Sequence, residues 1–287
     1  VRTFVSAVAV LLGLAMAAVA VPAIWVDRNI VQEDGFVALT ARLGKDPAFQ
    51  RRLATAAVNN ISFGDQQLPD ALAGVVKPVL EDAAQSLTSM PGYSEAWAET
   101  LRRSHRLSFA DPRTLPADVD GTTSLTLDVA PLVGLVVKKV SEASPVPLSA
   151  PGEVRIGIGQ SNQRQLIERV TAYAPMGSPV AIGAAVAFLL AFVAARRKWT
   201  VLAAAGAGTL VLAGVWKLGV EAAGRAVQGT GNSSDVAEIF KREFVAASTA
   251  GFGEWLTAAL VVGGGLLLSG VAVRAVGGRK PGAISRP

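Results

Sequence analysis

Cysteine is absent from the 287 residues and histidine occurs once, at position 105. The first absence excludes disulfide scaffolds, thiol nucleophiles and Cys-ligated metal sites. The second makes any zinc site or Ser-His-Asp triad depend on His105 alone, and the sequence has neither an HExxH spacing nor a Gly-x-Ser-x-Gly elbow. Charge is scarce too: Asp, Glu, Lys and Arg make up 17% of the chain against 51% hydrophobic residues, and the mean hydropathy is +0.42. That is too apolar for a chain that hides all its hydrophobic side chains in water-soluble cores.

The excess is gathered in four uncharged runs. Thr3 to Val26 is 24 residues, and Gly177 to Ala195, Trp199 to Trp216 and Trp255 to Val273 are 19, 18 and 19. As helices these measure roughly 27 to 36 Å, against a bilayer hydrocarbon core of about 30 Å. Trp25, Trp199, Trp216 and Trp255 fall at run ends, where an amphipathic indole favours the headgroup layer. The pattern predicts four transmembrane helices.

Basic residues resist translocation, so their placement predicts orientation. With the N-terminus in the cytoplasm, the inside pieces carry Arg2, then Arg196, Arg197 and Lys198, then Arg274, Arg279, Lys280 and Arg286, with no acid among them. The two pieces left outside are slightly acidic: Asp27 to Pro175 has 15 basic and 17 acidic residues, and Leu218 to Gly253 has 3 and 4. The net charge of +5 is therefore a topology signal and gives no reason to expect nucleic acid as a partner. Both termini are expected in the cytoplasm of a cell-membrane protein, with membrane lipid as the first partner. Arg2, the apolar run and Ala15-Met16-Ala17 resemble a cleavable signal peptide, but the run continues through Pro22 to Val26 and favours an uncleaved signal anchor.

The expected divisions are helix 1 at 1–26, an extracytoplasmic domain at 27–175, helices 2 and 3 at 176–217 with a cytoplasmic turn at 196–198, an outer helical loop at 218–253, and helix 4 with a basic tail at 254–287. In the large middle segment, Asp46-Pro47 opens a helix with an N-cap acceptor and Pro at its first position, and Phe49, Leu53, Ala57 and Ile61 then recur every four residues. A second helix is expected over 68–87, kinked at Pro78. Tyr93, Trp97, Leu101 and His105 form another such stripe. Two strand-then-helix units follow. Thr123, Leu125 and Leu127 alternate before a helix carrying Val129, Leu132, Val133, Val136 and Val140, and Val154, Ile156 and Ile158 alternate before a helix that turns Leu166, Val170 and Tyr173 inward. The expected fold class is a membrane α-helical bundle plus an extracytoplasmic α+β domain with a small sheet of two or three strands.

One span, an Asp-Pro helix start, the Tyr93, Trp97, His105 stripe, the segment Leu125-Thr-Leu-Asp-Val-Ala-Pro-Leu-Val133, a strand-helix unit and then C-terminal spans together resemble a family of uncharacterised actinobacterial integral membrane proteins. The likeness covers most of Trp25 to Lys198 and implies bacterial origin and this topology, with no catalytic residues. The 19 arginines against 8 lysines fit a GC-rich genome.

No catalytic residue, cofactor or metal is expected. His105 reads as a hydrogen-bonded helix histidine. Asp118-Val119-Asp120-Gly121 lacks the later ligands of a calcium loop, and Glu81-Asp82 reads as a solvated helix face. The spans carry no ionisable residue in their interiors, which disfavours a pump or proton-coupled carrier. Gly206, Gly208, Gly214, Gly263 to Gly265 and Gly270 supply small faces for close helix packing. In the outer loop, Asn232-Ser233-Ser234 opens a helix whose apolar face of Val236, Ile239, Phe240, Phe244 and Val245 is expected to dock on the large domain. The functional expectation is an envelope interaction or sensor-like protein that is not an enzyme. Tyr93, Trp97 and His105 are its candidate contact residues, and an envelope protein or a cell-wall component is its partner. The other reading is a passive channel or lipid-handling bundle with the outer domain as a lid.

Overall fold

In the computed structural model, residues 2–46, 49–50, 86–110, 126–143, 149–157, 164–229 and 235–277 are described. They form α1 (Arg2–Val26), α2 (Glu33–Thr40), α3 (Tyr93–Phe109), β1 (Thr126–Asp128), α4 (Ala130–Ala143), β2 (Arg155–Gly157), α5 (Arg164–Tyr173), α6 (Gly177–Ala194), α7 (Lys198–Gln228) and α8 (Asp235–Gly277). The expected helix over 68–87, most of the helix opened by Asp46, the Asp118 turn and Glu81-Asp82 lie outside these residues. So do Asn232-Ser233-Ser234, Arg279 and Lys280.

The chain divides into two units: Val1–Trp25 with Tyr173–Ala223 and Ala250–Pro287, and Val26–Ala172 with Gly224–Thr249. The first is a four-helix bundle. Four stretches are long and apolar enough to cross a membrane: Arg2–Val31, Gln165–Ala194, Lys198–Gln228 and Glu238–Val276. Each is longer than its uncharged run, because a helix stops where its backbone is capped or broken, and a change of polarity alone does not stop it.

Contacts inside the bundle fix the helix directions. Ser6 Oγ donates to Ala191 O at 2.9 Å, and Gly177 sits against the backbone of Ala23 and Ile24, so α1 and α6 run antiparallel. Trp216 Nε1 donates to Ala18 O at 2.9 Å and Gly208 lies under Leu14, which sets α7 parallel to α1. Trp25 and Phe252 meet edge to face at 5.5 Å between centroids, bringing α8 down beside α1. The α7 and α8 backbones touch. A Cβ on Gly206 would stand 2.6 Å from Gly263 O, and one on Gly270 would stand 2.9 Å from Trp199 O. Gly214, Gly264 and Gly265 have no such neighbour. Outward, Phe4, Leu11, Leu189 and Leu268 are all more than 60% exposed, a surface suited to lipid and unsuited to water.

The second unit is built around α3. Its inward face carries Tyr93, Trp97 and Leu101, packed with Phe36 of α2, Leu43, Leu87, Leu127 of β1, and Val129, Leu132, Val133 and Val136 at the start of α4. Phe240, buried on α8, joins this core with Ile239 and Phe244 beside it, so the loop helix docks as its apolar face requires. β1 and β2 pair antiparallel, with Thr126 opposite Gly157, Leu127 opposite Ile156 and Asp128 opposite Arg155.

One expectation is met in part here and one is corrected. The expected α+β layer reduces, among the described residues, to this ladder of three pairs in a mostly helical unit. On the other edge of β1 the N–H groups of Thr126 and Asp128 donate to Ser108 Oγ (3.3 Å) and Ser104 Oγ (2.9 Å) of α3, so the helix closes that edge to a further strand. In α5, Leu166 and Tyr173 are exposed and Val170 is half-buried, where an inward stripe was expected. Periodicity shows which side chains share a face but not what covers it, and α5 leads through the turn Ala174–Met176 straight into α6.

Candidate functional site

Two constellations hold the residues singled out by sequence. The first is the face of α3. Tyr93 begins the helix after Gly92, whose φ of 83° places the chain in the left-handed region that favours glycine. Its hydroxyl donates to Gly44 O at 2.8 Å. One turn on, Trp97 Nε1 donates to Thr40 O at 3.4 Å while the ring lies over Gly44 and edge-on to Phe49. Two turns later, His105 Nε2 meets Ile30 O at 3.1 Å, and since a carbonyl only accepts, Nε2 carries the proton. His105 also stacks on Phe109 (4.4 Å, 15°) and tilts against Phe36 (5.2 Å).

All three side chains are buried, and their polar atoms bind the segment Ile30 to Gly44 of the same chain. They are therefore placed as clamps on the polypeptide that follows α1. Burial pushes the Tyr93 phenol far above its ordinary range. Burial also lowers the His105 imidazole below its usual 6.5, a shift opposed by the carbonyls of Ile30 and Val31 and by Glu33, and aided by Arg106.

Hydrophobic periodicity gives no sign of the polar residues beside this stripe. Ser104 Oγ donates to Thr100 O (2.6 Å) while accepting the Asp128 N–H, and Asp128 Oδ1 accepts the N–H groups of Ala130 (3.0 Å) and Val154 (3.2 Å). Through its backbone N–H and its buried carboxylate, Asp128 thus ties α3, β1, the start of α4 and the approach to β2 together. The signal was present in two forms: hydroxyls at positions 100, 104 and 108, one turn apart on the inward face, and Asp128 three residues before Pro131 at a helix start. Among the described residues no three His, Cys, Asp or Glu side chains gather closely enough to hold a metal ion.

The second constellation lies at one end of the bundle. Because α1 and α7 run one way and α6 and α8 the other, the start of α1, the α6–α7 turn and the end of α8 come to the same end, carrying Arg2, Arg196, Arg197, Lys198 and Arg274. Thr200 Oγ1 donates to Arg197 O at 2.6 Å and closes the turn. Lys198 Nζ lies 5.1 Å from the centroid of Phe192, and the Arg274 guanidinium lies 4.8 Å from that of Trp199. The acids of this unit, Glu221 and Glu254, lie at the end of the bundle away from these cations, together with Lys217. The chain leaves the bundle at Trp25, Tyr173, Ala223 and Ala250, all at the end away from the basic residues.

Comparison with known protein families, with curated proteins and with solved structures finds no match to this chain. The four long apolar helices fit a multi-pass membrane protein, and the functional reading stands on the two constellations themselves.

Proposed function

We propose that this is a multi-pass protein of an actinobacterial cell membrane, with both termini in the cytoplasm, that presents the unit Val26–Ala172 with Gly224–Thr249 outside the cytoplasm to an envelope protein or wall component. The observation that carries the reading is the sorting of charge along the bundle. Arg2, Arg196, Arg197, Lys198 and Arg274 gather at one pole with no acid among them, whereas at the other pole, where the chain leaves the bundle, Lys217 is accompanied by Glu221 and Glu254. The roles of Tyr93, Trp97 and His105 change in consequence. They hold the segment after α1 in place, and contact with a partner falls to the exposed surface around them.

Packing of Gly206, Gly263 and Gly270 against neighbouring backbone supports a closed helical assembly over a glycine-lined path. The test is photo-crosslinking in the native cell from single exposed positions, Ser94 and Glu95 in the larger unit and Arg197 in the bundle turn. Adducts with another envelope component from the first two alone support the reading, whereas self-adducts alone at those positions count against it.

A further inference from the structure

We infer that the basic end of the bundle is a built binding site for the phosphodiester of an anionic phospholipid headgroup, with Arg274 as its central ligand. The inference rests on the reading that this end meets a headgroup layer, and it adds a specific cation geometry to that reading. Positive charge alone would attract anionic lipid diffusely. Here two of the cations are held on aromatic faces. The central carbon of the Arg274 guanidinium lies over the ring of Trp199 of α7, 4.8 Å from its centroid, and Lys198 Nζ lies over Phe192 of α6 at 5.1 Å.

A guanidinium beside an indole still carries its N–H donors, and their planar fork matches two phosphate oxygens. Its position is set by the backbone. Gly270, one turn before Arg274, lets α8 approach until a Cβ there would stand 2.8 Å from Ala203 N. The exposed Arg196 and Arg197 flank the same turn, and among the described residues no carboxylate pairs with any of these four cations. Among the described residues the cluster thus presents four cations that no carboxylate of the chain neutralises, two of them placed over aromatic rings.

The experiment uses the full chain in detergent, titrated with phosphatidylglycerol or phosphatidylcholine and read by native mass spectrometry. Wild type is expected to retain phosphatidylglycerol preferentially. Arg274→Gln should weaken that retention about fivefold, the effect of one basic residue near an anionic surface. Arg274→Lys keeps the charge but loses the planar fork, and Trp199→Leu keeps the arginine but removes its platform; both are expected to match Arg274→Gln, with unchanged helicity by circular dichroism. Lys217→Gln, at the other end of α7, should bind as wild type does. If Arg274→Lys and Trp199→Leu retain lipid as wild type does, the attraction is diffuse and the site is refuted. Displacement of the lipid by excess inorganic phosphate would likewise overturn it, assigning the cluster to free phosphate. Retention in detergent does not depend on which way the protein faces in a cell, so a reversed orientation and a failed lipid site give separate results.

Discussion

Trp97 is the residue on which the larger unit closes. Its ring fills the space that a side chain at Gly44 would need, and its indole N–H reaches Thr40 O. Trp97→Ala should cost about 3 to 5 kcal/mol, the range for removing a buried aromatic, whereas Tyr93→Phe removes only a buried hydrogen bond worth about 1 kcal/mol. Denaturant unfolding in detergent, followed by near-ultraviolet circular dichroism, orders the two. His105 gives a signed pH effect. Burial holds its folded-state pKa below the 6.5 of the unfolded chain, so protons bind the unfolded state more readily between those values. Its contribution to stability is complete above about pH 6.5 and is lost as pH falls from there through the lowered folded value. The wild-type unfolding midpoint should therefore fall over that window, and His105→Gln should flatten this part of the slope. An equal slope in both proteins would assign the pH dependence to other groups.

At the scale of elements, α3 does the work of a strand as well as of a helix. Ser104 and Ser108 take the N–H groups of Asp128 and Thr126, so the double variant Ser104→Ala, Ser108→Ala leaves two buried donors unpaired. Each is expected to cost about 1 to 3 kcal/mol, with faster hydrogen exchange at the amides of residues 126 and 128. In the bundle, Gly206→Leu should lower the thermal midpoint in detergent far more than Gly214→Leu. The first forces α7 away from Leu267 and Gly263, and the second meets open space. The α3 stripe, β1 and the docked face of α8 could be read from periodicity, because each buries residues at regular spacing. The partner of each face could not. The spacing in α5 shows an amphipathic helix but not that its stripe faces outward, and the serine hydroxyls that close one edge of β1 leave no trace in hydrophobic spacing.

For the whole molecule, four uncharged runs and the positions of the basic residues were enough to foresee the helices now seen in Arg2–Val31, Gln165–Ala194, Lys198–Gln228 and Glu238–Val276. What they did not reveal is that Arg274 lies over Trp199, since that contact follows from how α7 and α8 cross at Gly206 and Gly270, or that Lys198 lies over Phe192 across the α6–α7 turn. The central claim is the orientation of that bundle. It is tested most directly by labelling with a membrane-impermeant maleimide, for which the cysteine-free chain is a clean background. In intact cells Ser94→Cys is expected to label and Arg197→Cys to stay unlabelled until the membrane is permeabilised. Labelling of Arg197→Cys in intact cells, with Ser94→Cys protected, would put the larger unit in the cytoplasm and contradict the proposed orientation.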